Sequence, residues 1–150
     1  MELLWTPLKA LAALAVGWLL ARLVATPRQL VALALLAALV DAVSVAAGPS
    51  RSIVEDGSGA FERVALHLPP WDAQALLGPV DVVFLGLFAF GAARVGLRAI
   101  PVTVGVLTGL AIGVGAALGT DAGLPAIPFM AAGLLVAAAV APAAPAKARS

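Results

Sequence analysis

The sequence contains no cysteine and no tyrosine, only one histidine, His67, and few charged residues. Without cysteine there is no disulfide framework, no thiolate metal site and no cysteine nucleophile. A single histidine also excludes a metal centre built from several histidines. The sequence therefore predicts neither a bound metal nor another cofactor.

Charged residues make up only 11% of the 150-residue chain, whereas hydrophobic residues make up 63%. The mean hydropathy is +1.09. This balance excludes an ordinary water-soluble domain. The formal net charge of +1 gives no reason to expect nucleic acid as a partner. The composition instead predicts one integral membrane domain embedded in a lipid bilayer.

Five apolar stretches approach the roughly 20 residues that a membrane-spanning helix needs. They predict helices at about 8–24, 29–47, 73–93, 101–118 and 125–141. Residues 48–72 form the one long connection, and the Pro/Ala-rich tail 142–150 is expected to be disordered. The expected fold is therefore an all-α, polytopic membrane protein with about five transmembrane helices, in the plasma membrane of a prokaryote.

Two local patterns refine this expectation. In residues 63–68 the larger apolar side chains Val64, Leu66 and Leu68 alternate with Arg63, Ala65 and His67. This alternation is typical of a short strand, although a loop on the bilayer surface fits the segment equally well. In the fourth helix Gly105, Gly109 and Gly113 recur every four residues, which favours close packing against another helix.

The distribution of positive charge predicts the membrane orientation. Six of the nine Lys and Arg residues flank one membrane face, which the positive-inside rule assigns to the cytoplasm. The long loop would then lie outside.

Asp41 and Asp81 stand alone inside apolar stretches. A carboxylate at the centre of a bilayer costs about 2.5–3.5 kcal/mol on insertion scales, so such residues usually mark functional sites. At about 1.5 Å of rise per residue, Asp41 lies about 9 Å and Asp81 about 8 Å from the same membrane face. Two close carboxyl groups can share one proton, so that one activates a water and the other polarises a carbonyl.

The fifth predicted helix starts at the same membrane face, with Pro125 and Pro128. Two prolines three residues apart disrupt the interior of a regular helix. Unwound backbone at membrane depth needs protein or water to satisfy it. We therefore expect an unwound segment beside the two aspartates, and the Gly78–Pro79 pair is expected to loosen the third helix.

Three segments together carry a family resemblance. The second helix reads Leu-Val-Asp41-Ala-Val-Ser, the third reads Gly78-Pro-Val-Asp81, and the fifth begins Leu-Pro125-Ala126-Ile127-Pro. In this order and spacing the chain resembles the catalytic half of the presenilin and signal peptide peptidase family. These proteins are intramembrane aspartyl proteases with a Tyr-Asp, a Gly-x-Gly-Asp and a Pro-Ala-Leu motif on three helices. The resemblance covers roughly residues 30–141.

This resemblance implies a presenilin-like fold with Asp41 and Asp81 as the catalytic pair. It also implies that four further residues shape the active site and the substrate channel: Gly78, Pro125, Ala126 and Ile127. The substrate would be a single-span membrane protein whose helix unwinds and pairs as a strand, for which residues 63–68 offer an edge. The orientation derived from the charges matches that of the signal peptide peptidases.

The chain departs from the family pattern at three positions. Val40 stands in place of the Tyr, Val80 in place of the second Gly, and Ile127 in place of the Leu. Family members also have additional N-terminal helices. A second copy of this chain or a partner subunit could supply them, or the chain is a minimal enzyme or a degenerate relative of the family. Two other functions remain open, namely a non-catalytic membrane scaffold or partner subunit of the same fold, and a small proton-coupled transporter, since paired acids also relay protons.

Overall fold

The computed structural model describes residues 2–47, 66–67, 76–120 and 124–141, with side chains described for 6–47, 78–119 and 124–141. Within these residues the chain forms five α-helices and two very short strands. The helices are α1 (Glu2–Ala21), α2 (Pro27–Ala46), α3 (Pro79–Arg94), α4 (Ala99–Thr120) and α5 (Ala126–Val140). The strands β1 (Leu66–His67) and β2 (Leu76–Leu77) pair antiparallel. The predicted all-α class is therefore confirmed.

Two helices are long and apolar enough to cross a bilayer, judged by length and composition. They are Pro27–Ala46 and Ala99–Gly119, which correspond to α2 and most of α4. Thr6–Ala21 and Ala126–Val140 are apolar but shorter. The structure thus contains two candidate membrane spans where the sequence predicts about five.

Local sequence explains why α2 begins at Pro27. Thr26 is the N-cap, and its hydroxyl accepts a hydrogen bond of 3.2 Å from the Gln29 backbone N–H. The Gln29 side chain in turn accepts a hydrogen bond of 3.1 Å from the Thr26 N–H. This reciprocal capping box satisfies backbone donors that a helix start leaves free, and Pro27 has no N–H to satisfy.

The start of the third helix corrects the prediction. α3 begins at Pro79 rather than near residue 73, and Leu76 and Leu77 belong to β2. Gly78 is extended, with φ −65° and ψ 145°, because a residue that precedes proline avoids the helical region. Of the two interpretations of residues 63–68, a strand or a loop on the bilayer surface, the structure has a strand at Leu66–His67. The other residues of that segment, residues 73–75 and the tail 142–150 lie outside the described residues.

The first helix also differs from its predicted bounds of 8–24. It begins at Glu2, contains Pro7, and ends at Ala21. A proline so near the start removes only one early hydrogen bond, which the remaining turns of α1 tolerate. The backbone then turns over residues 22–25 to reach Thr26.

The helices pack as two close pairs that share a core. α1 lies along α3 and α4 lies along α5, while α2 rests mainly on α5 and α3 contacts α4. The largest fully buried side chains join these pairs: Phe88, Leu30, Met130, Leu134, Val102 and Val106. Such a contiguous set of apolar side chains, drawn from α2 to α5, sets the relative positions of those four helices.

Glycines allow the close approach within each pair. A Cβ on Gly109 would collide with the Phe129 carbonyl oxygen, and one on Gly105 would lie 2.5 Å from the Gly133 carbonyl oxygen. The predicted packing role of this glycine row in α4 is therefore confirmed. The α1–α3 pair has its own close contact, since a Cβ on Gly17 would collide with the Val83 carbonyl oxygen. In both places only glycine fits between the two backbones.

Candidate active site

Asp41 lies near the C-terminal end of α2 and reaches the start of α5. Its Oδ2 accepts a hydrogen bond of 3.1 Å from the Ile127 backbone N–H, across 86 positions of sequence. Ile127 is the second residue of α5, where a backbone N–H has no acceptor within the helix. Asp41 therefore caps α5 from a neighbouring helix, and this bond ties the two helices together at the site.

Asp81 lies in the first turn of α3. Its Oδ2 accepts a hydrogen bond of 3.0 Å from the Gly78 backbone N–H. An acidic side chain that reaches back from the third helical residue to the N-cap is one half of a capping box. The sequence placed Asp81 in the interior of a helix starting near residue 73, and that placement is wrong because Pro79 starts the helix. At a helix start, the free N–H groups and the positive end of the helix dipole stabilise a carboxylate.

The two aspartates come together in the structure. Asp41 and Asp81 are close enough for their carboxyl groups to interact electrostatically. α2 contacts both α3 and α5, and both carboxyl groups are half-buried. The site therefore lies where the C-terminal part of α2 meets the starts of α3 and α5.

The proline segment of α5 differs from its prediction. Pro125 is the N-cap of α5, with φ −67° and ψ 123°, and Pro128 lies in the first turn. Prolines at these positions cost no intrahelical hydrogen bond, because the first N–H groups of a helix have no partner there. The segment therefore starts a regular helix instead of interrupting one, and the predicted unwinding of a helix interior is wrong.

The remaining predicted site residues lie around the two aspartates. Ile127 is buried, at 4% exposure, while Pro125, Ala126 and Gly78 are half-buried. A Cβ on Gly78 would lie 3.2 Å from Asp81 Oδ2, so a larger residue would crowd the carboxyl group. Gly78 and Ile127 thus contribute backbone N–H donors, one to each aspartate.

The two valines that replace family motif residues point elsewhere. Val40 and Val80 are exposed, at 60% and 55%. Side chains that are this exposed are not packed between the carboxyl groups. Neither valine therefore lies in the space between the aspartates.

Sequence reasoning missed the donors that hold the aspartates. The signal was present in the prolines, because Pro125 and Pro79 mark helix starts and hence free N–H groups. A Gly-Pro-x-Asp segment places the acid at the third helical residue, where it can reach its own N-cap. No such local pattern links Asp41 to Ile127, so only the folded chain reveals that contact.

The chemistry available to the site is that of paired carboxyl groups. One ionised and one protonated group can act as general base and general acid on the same substrate. Among the described residues no third His, Cys, Asp or Glu joins the aspartates in a group that could hold a metal ion. Each aspartate has one oxygen anchored by a backbone N–H, and among the described residues no hydrogen bond engages the other oxygen.

Comparison with known proteins adds no functional assignment to this geometry. No family model matches the chain, and neither a curated protein nor a solved structure matches it.

Proposed function

We propose that this protein is an intramembrane aspartyl endopeptidase of the presenilin and signal peptide peptidase type. Asp41 and Asp81 would be the catalytic pair, and the substrate would be the transmembrane helix of a single-span membrane protein. The observation that carries the proposal is the meeting of two aspartates, from different helices, at the starts of α3 and α5. The sequence motifs that resemble the family contain these same residues.

The proposal includes a polytopic arrangement of all five helices in a prokaryotic plasma membrane. Large apolar side chains cover the outside of α2, including Leu36 at 59% and Leu39 at 60% exposure. No polar or charged side chain is buried within the described part of the chain. A helix whose outer surface is this apolar is better suited to lipid than to water.

Helix length supports a site that is recessed into the bilayer. α5 has 15 residues and α3 has 16. At about 1.5 Å per residue they extend about 22–24 Å, less than the roughly 30 Å of a hydrocarbon core. If both end at the opposite face, they start several ångströms inside the membrane. The carboxyl groups at those starts would then meet a substrate helix within its apolar span.

Within the described residues no hydrogen bond engages the second oxygen of either aspartate, which is therefore the oxygen proposed for the reaction. The ionised aspartate would take a proton from a water, whose oxygen attacks the carbonyl carbon of the scissile peptide. The protonated aspartic acid would donate its proton toward the carbonyl oxygen, which stabilises the tetrahedral intermediate. Collapse of that intermediate breaks the C–N bond as a proton passes to the leaving nitrogen. The N–H groups of Gly78 and Ile127 would hold the two acids in position throughout.

One observation favours a second function. Both aspartates satisfy backbone donors at helix starts, and this role would hold the fold together without catalysis. A non-catalytic scaffold or partner subunit would need nothing more from them. The two functions differ in whether the protein cleaves a substrate by means of these carboxyl groups, and this difference can be measured.

The decisive experiment follows cleavage of a single-span helical reporter by the protein reconstituted in lipid. Wild type would be compared with Asp41→Asn and Asp81→Asn, which keep an amide oxygen as hydrogen-bond acceptor. Asp72→Asn is the matched control, because it removes a carboxyl group from the long connection. Product fragments would be identified and quantified by mass spectrometry.

We expect wild type and Asp72→Asn to cleave the reporter. Each site variant should lose about a hundredfold to ten-thousandfold in rate, the usual contribution of general acid–base catalysis. Cleavage that persists in either folded site variant would contradict the assignment of the pair. A folded wild type that yields no product, alone or as an oligomer, would favour the scaffold.

A further inference from the structure

The end of the bundle opposite the aspartates contains an open cavity between α1 and α3. Its volume is about 310 Å³. It is lined by Trp18, Ala21, Arg22, Phe90, Ala93 and Arg94. Its wall is thus apolar and aromatic apart from two arginines.

The parallel packing of α1 and α3 creates this cavity. Gly17 and Gly86 bring the two helices together, since a Cβ on Gly17 would lie 3.0 Å from the Gly86 Cα. Toward the ends of the two helices, the larger side chains Trp18 and Phe90 flank an opening that Ala21 and Ala93 leave unfilled. Both helices end here, so Arg22, directly after α1, and Arg94, the last residue of α3, line the cavity.

Arg22 is held in place by an aromatic contact. Its guanidinium carbon lies 3.8 Å from the centroid of the Trp18 ring. Such a cation–π contact positions the charged group without neutralising it. Among the described residues no carboxylate or hydrogen bond engages the guanidinium of Arg22 or of Arg94.

The surroundings of the cavity are strongly basic. Arg28 and Arg98 lie at the starts of α2 and α4, at this same end of the bundle. None of the chain's eight acidic residues falls in the two connections here, 22–26 and 95–98. The described acidic side chains, Asp41 and Asp81, lie at the other end. An anion that approaches this cavity therefore meets positive charge that no carboxylate of the described side chains offsets.

We propose that this cavity binds the phosphate-bearing headgroup of an anionic phospholipid. The guanidinium groups of Arg22 and Arg94 would donate hydrogen bonds to the phosphate oxygens, for which their planar fork is well suited. Trp18 and Phe90 would contact the glycerol and the first acyl carbons, since aromatic side chains favour the membrane interface. Basic pockets between membrane helices on the cytoplasmic side are suited to such lipids. The proposal rests on the membrane insertion proposed above but not on proteolysis.

The test measures which lipid the protein retains. Wild type would be reconstituted in a mixture of phosphatidylcholine and phosphatidylglycerol, transferred to neutral detergent, and analysed by native mass spectrometry. The cavity variant is Arg22→Gln with Arg94→Gln. The matched control is Arg28→Gln with Arg98→Gln, which removes the same charge from the same end but not from the cavity. Cleavage of the reporter would be measured on the same wild-type sample, so failure of one proposal is distinguishable from failure of the other.

We expect wild type to retain phosphatidylglycerol in preference to phosphatidylcholine. The cavity variant should lose this preference by roughly twentyfold, because each arginine near a membrane surface contributes about a fivefold attraction for anionic lipid. The control should change it less than about threefold. An unchanged preference in the cavity variant, or an equal loss in both variants, would overturn the proposal.

Two further arms complete the test. Inorganic phosphate at millimolar concentration should not displace the retained lipid, and complete displacement would indicate a site for the free ion instead. A Trp5→Phe, Trp71→Phe variant leaves Trp18 as the only tryptophan and the cavity intact. Its fluorescence should be quenched more by brominated phosphatidylglycerol than by brominated phosphatidylcholine at equal mole fraction. Equal quenching would contradict the proposal even if the arginine variants failed to fold.

Discussion

The two ends of this helix bundle have opposite chemistry. At one end Asp41 and Asp81 lie where α3 and α5 begin, and at the other Arg22 and Arg94 lie where α1 and α3 end. The helix dipole, which is positive at the N-terminus and negative at the C-terminus, favours Asp81 at the start of α3 and the two arginines at the ends of α1 and α3. The ends differ in what engages the charged groups. Backbone N–H groups hold the two half-buried aspartates, whereas the arginines line a cavity open to the outside.

This difference separates a site suited to chemistry from a site suited to recognition. Fixed carboxyl groups, each with one oxygen that none of the described residues engages, suit the proposed proteolysis. Exposed guanidinium groups beside aromatic rings can hold an anion at the membrane surface. α3 contributes Asp81 to one end and Arg94 to the other. Its packing therefore determines whether a change at one end affects the other.

The largest expected effect comes from the glycine row that joins α4 to α5. Gly109→Val places a side chain against the Phe129 carbonyl oxygen and should lower the free energy of unfolding by about 3 kcal/mol. Gly115→Val is the control, because a Cβ at Gly115 has no atom within 4 Å. Unfolding in lipid would be followed by circular dichroism. Equal stability of the two variants would show that the α4–α5 contact does not hold the bundle together.

An intermediate effect should be confined to the acidic end. Asp41→Leu leaves the Ile127 N–H without its acceptor and should cost about 2 kcal/mol, whereas Asp41→Asn retains an oxygen and should cost less than about 1 kcal/mol. Thermal unfolding in lipid would give both values. The comparison of the ends further predicts that Asp41→Leu leaves lipid retention at the arginine cavity unchanged. A parallel loss of retention would mean that the ends are coupled.

The smallest effect belongs to the basic end. Trp18→Leu removes the ring beneath the Arg22 guanidinium and should weaken retention of phosphatidylglycerol by about twofold to fivefold, the equivalent of about 0.5–1 kcal/mol. Leu11→Ala, an exposed position on the same helix, is the control. Native mass spectrometry would compare the retained lipid. If both variants retained equal amounts, the cation–π contact would have no part in binding.

Much of the fold could be predicted from the sequence because hydropathy and spacing are local signals. The apolar stretches predict the number of helices, and the row Gly105, Gly109 and Gly113 predicts the face of α4 that packs. The close contact of Gly17 with Gly86 was not predictable in the same way. Each of these glycines is isolated in the sequence of its own helix. Their role follows only from the packing of the two helices, which places them in contact.

The boundaries of α3 show where such signals fail. The apolar residues Leu76 and Leu77 extend the hydropathy of the third helix, yet they pair with His67 and Leu66 as a strand. Hydropathy measures the preference for an apolar environment and does not distinguish a buried strand from a helix. The Gly78–Pro79 pair carried the correct boundary, because the residue before a proline disfavours helix.

Residue order is enough to specify that this chain forms apolar helices, that two lone aspartates lie toward one end of them, and that arginines lie toward the other. These properties depend on residue type and on position along a helix. The hydrogen bond from Ile127 to Asp41 and the cavity that Arg22 and Arg94 share depend instead on the fold. Such contacts join residues far apart in the chain, and the packing of the helices, rather than any local pattern, brings them together.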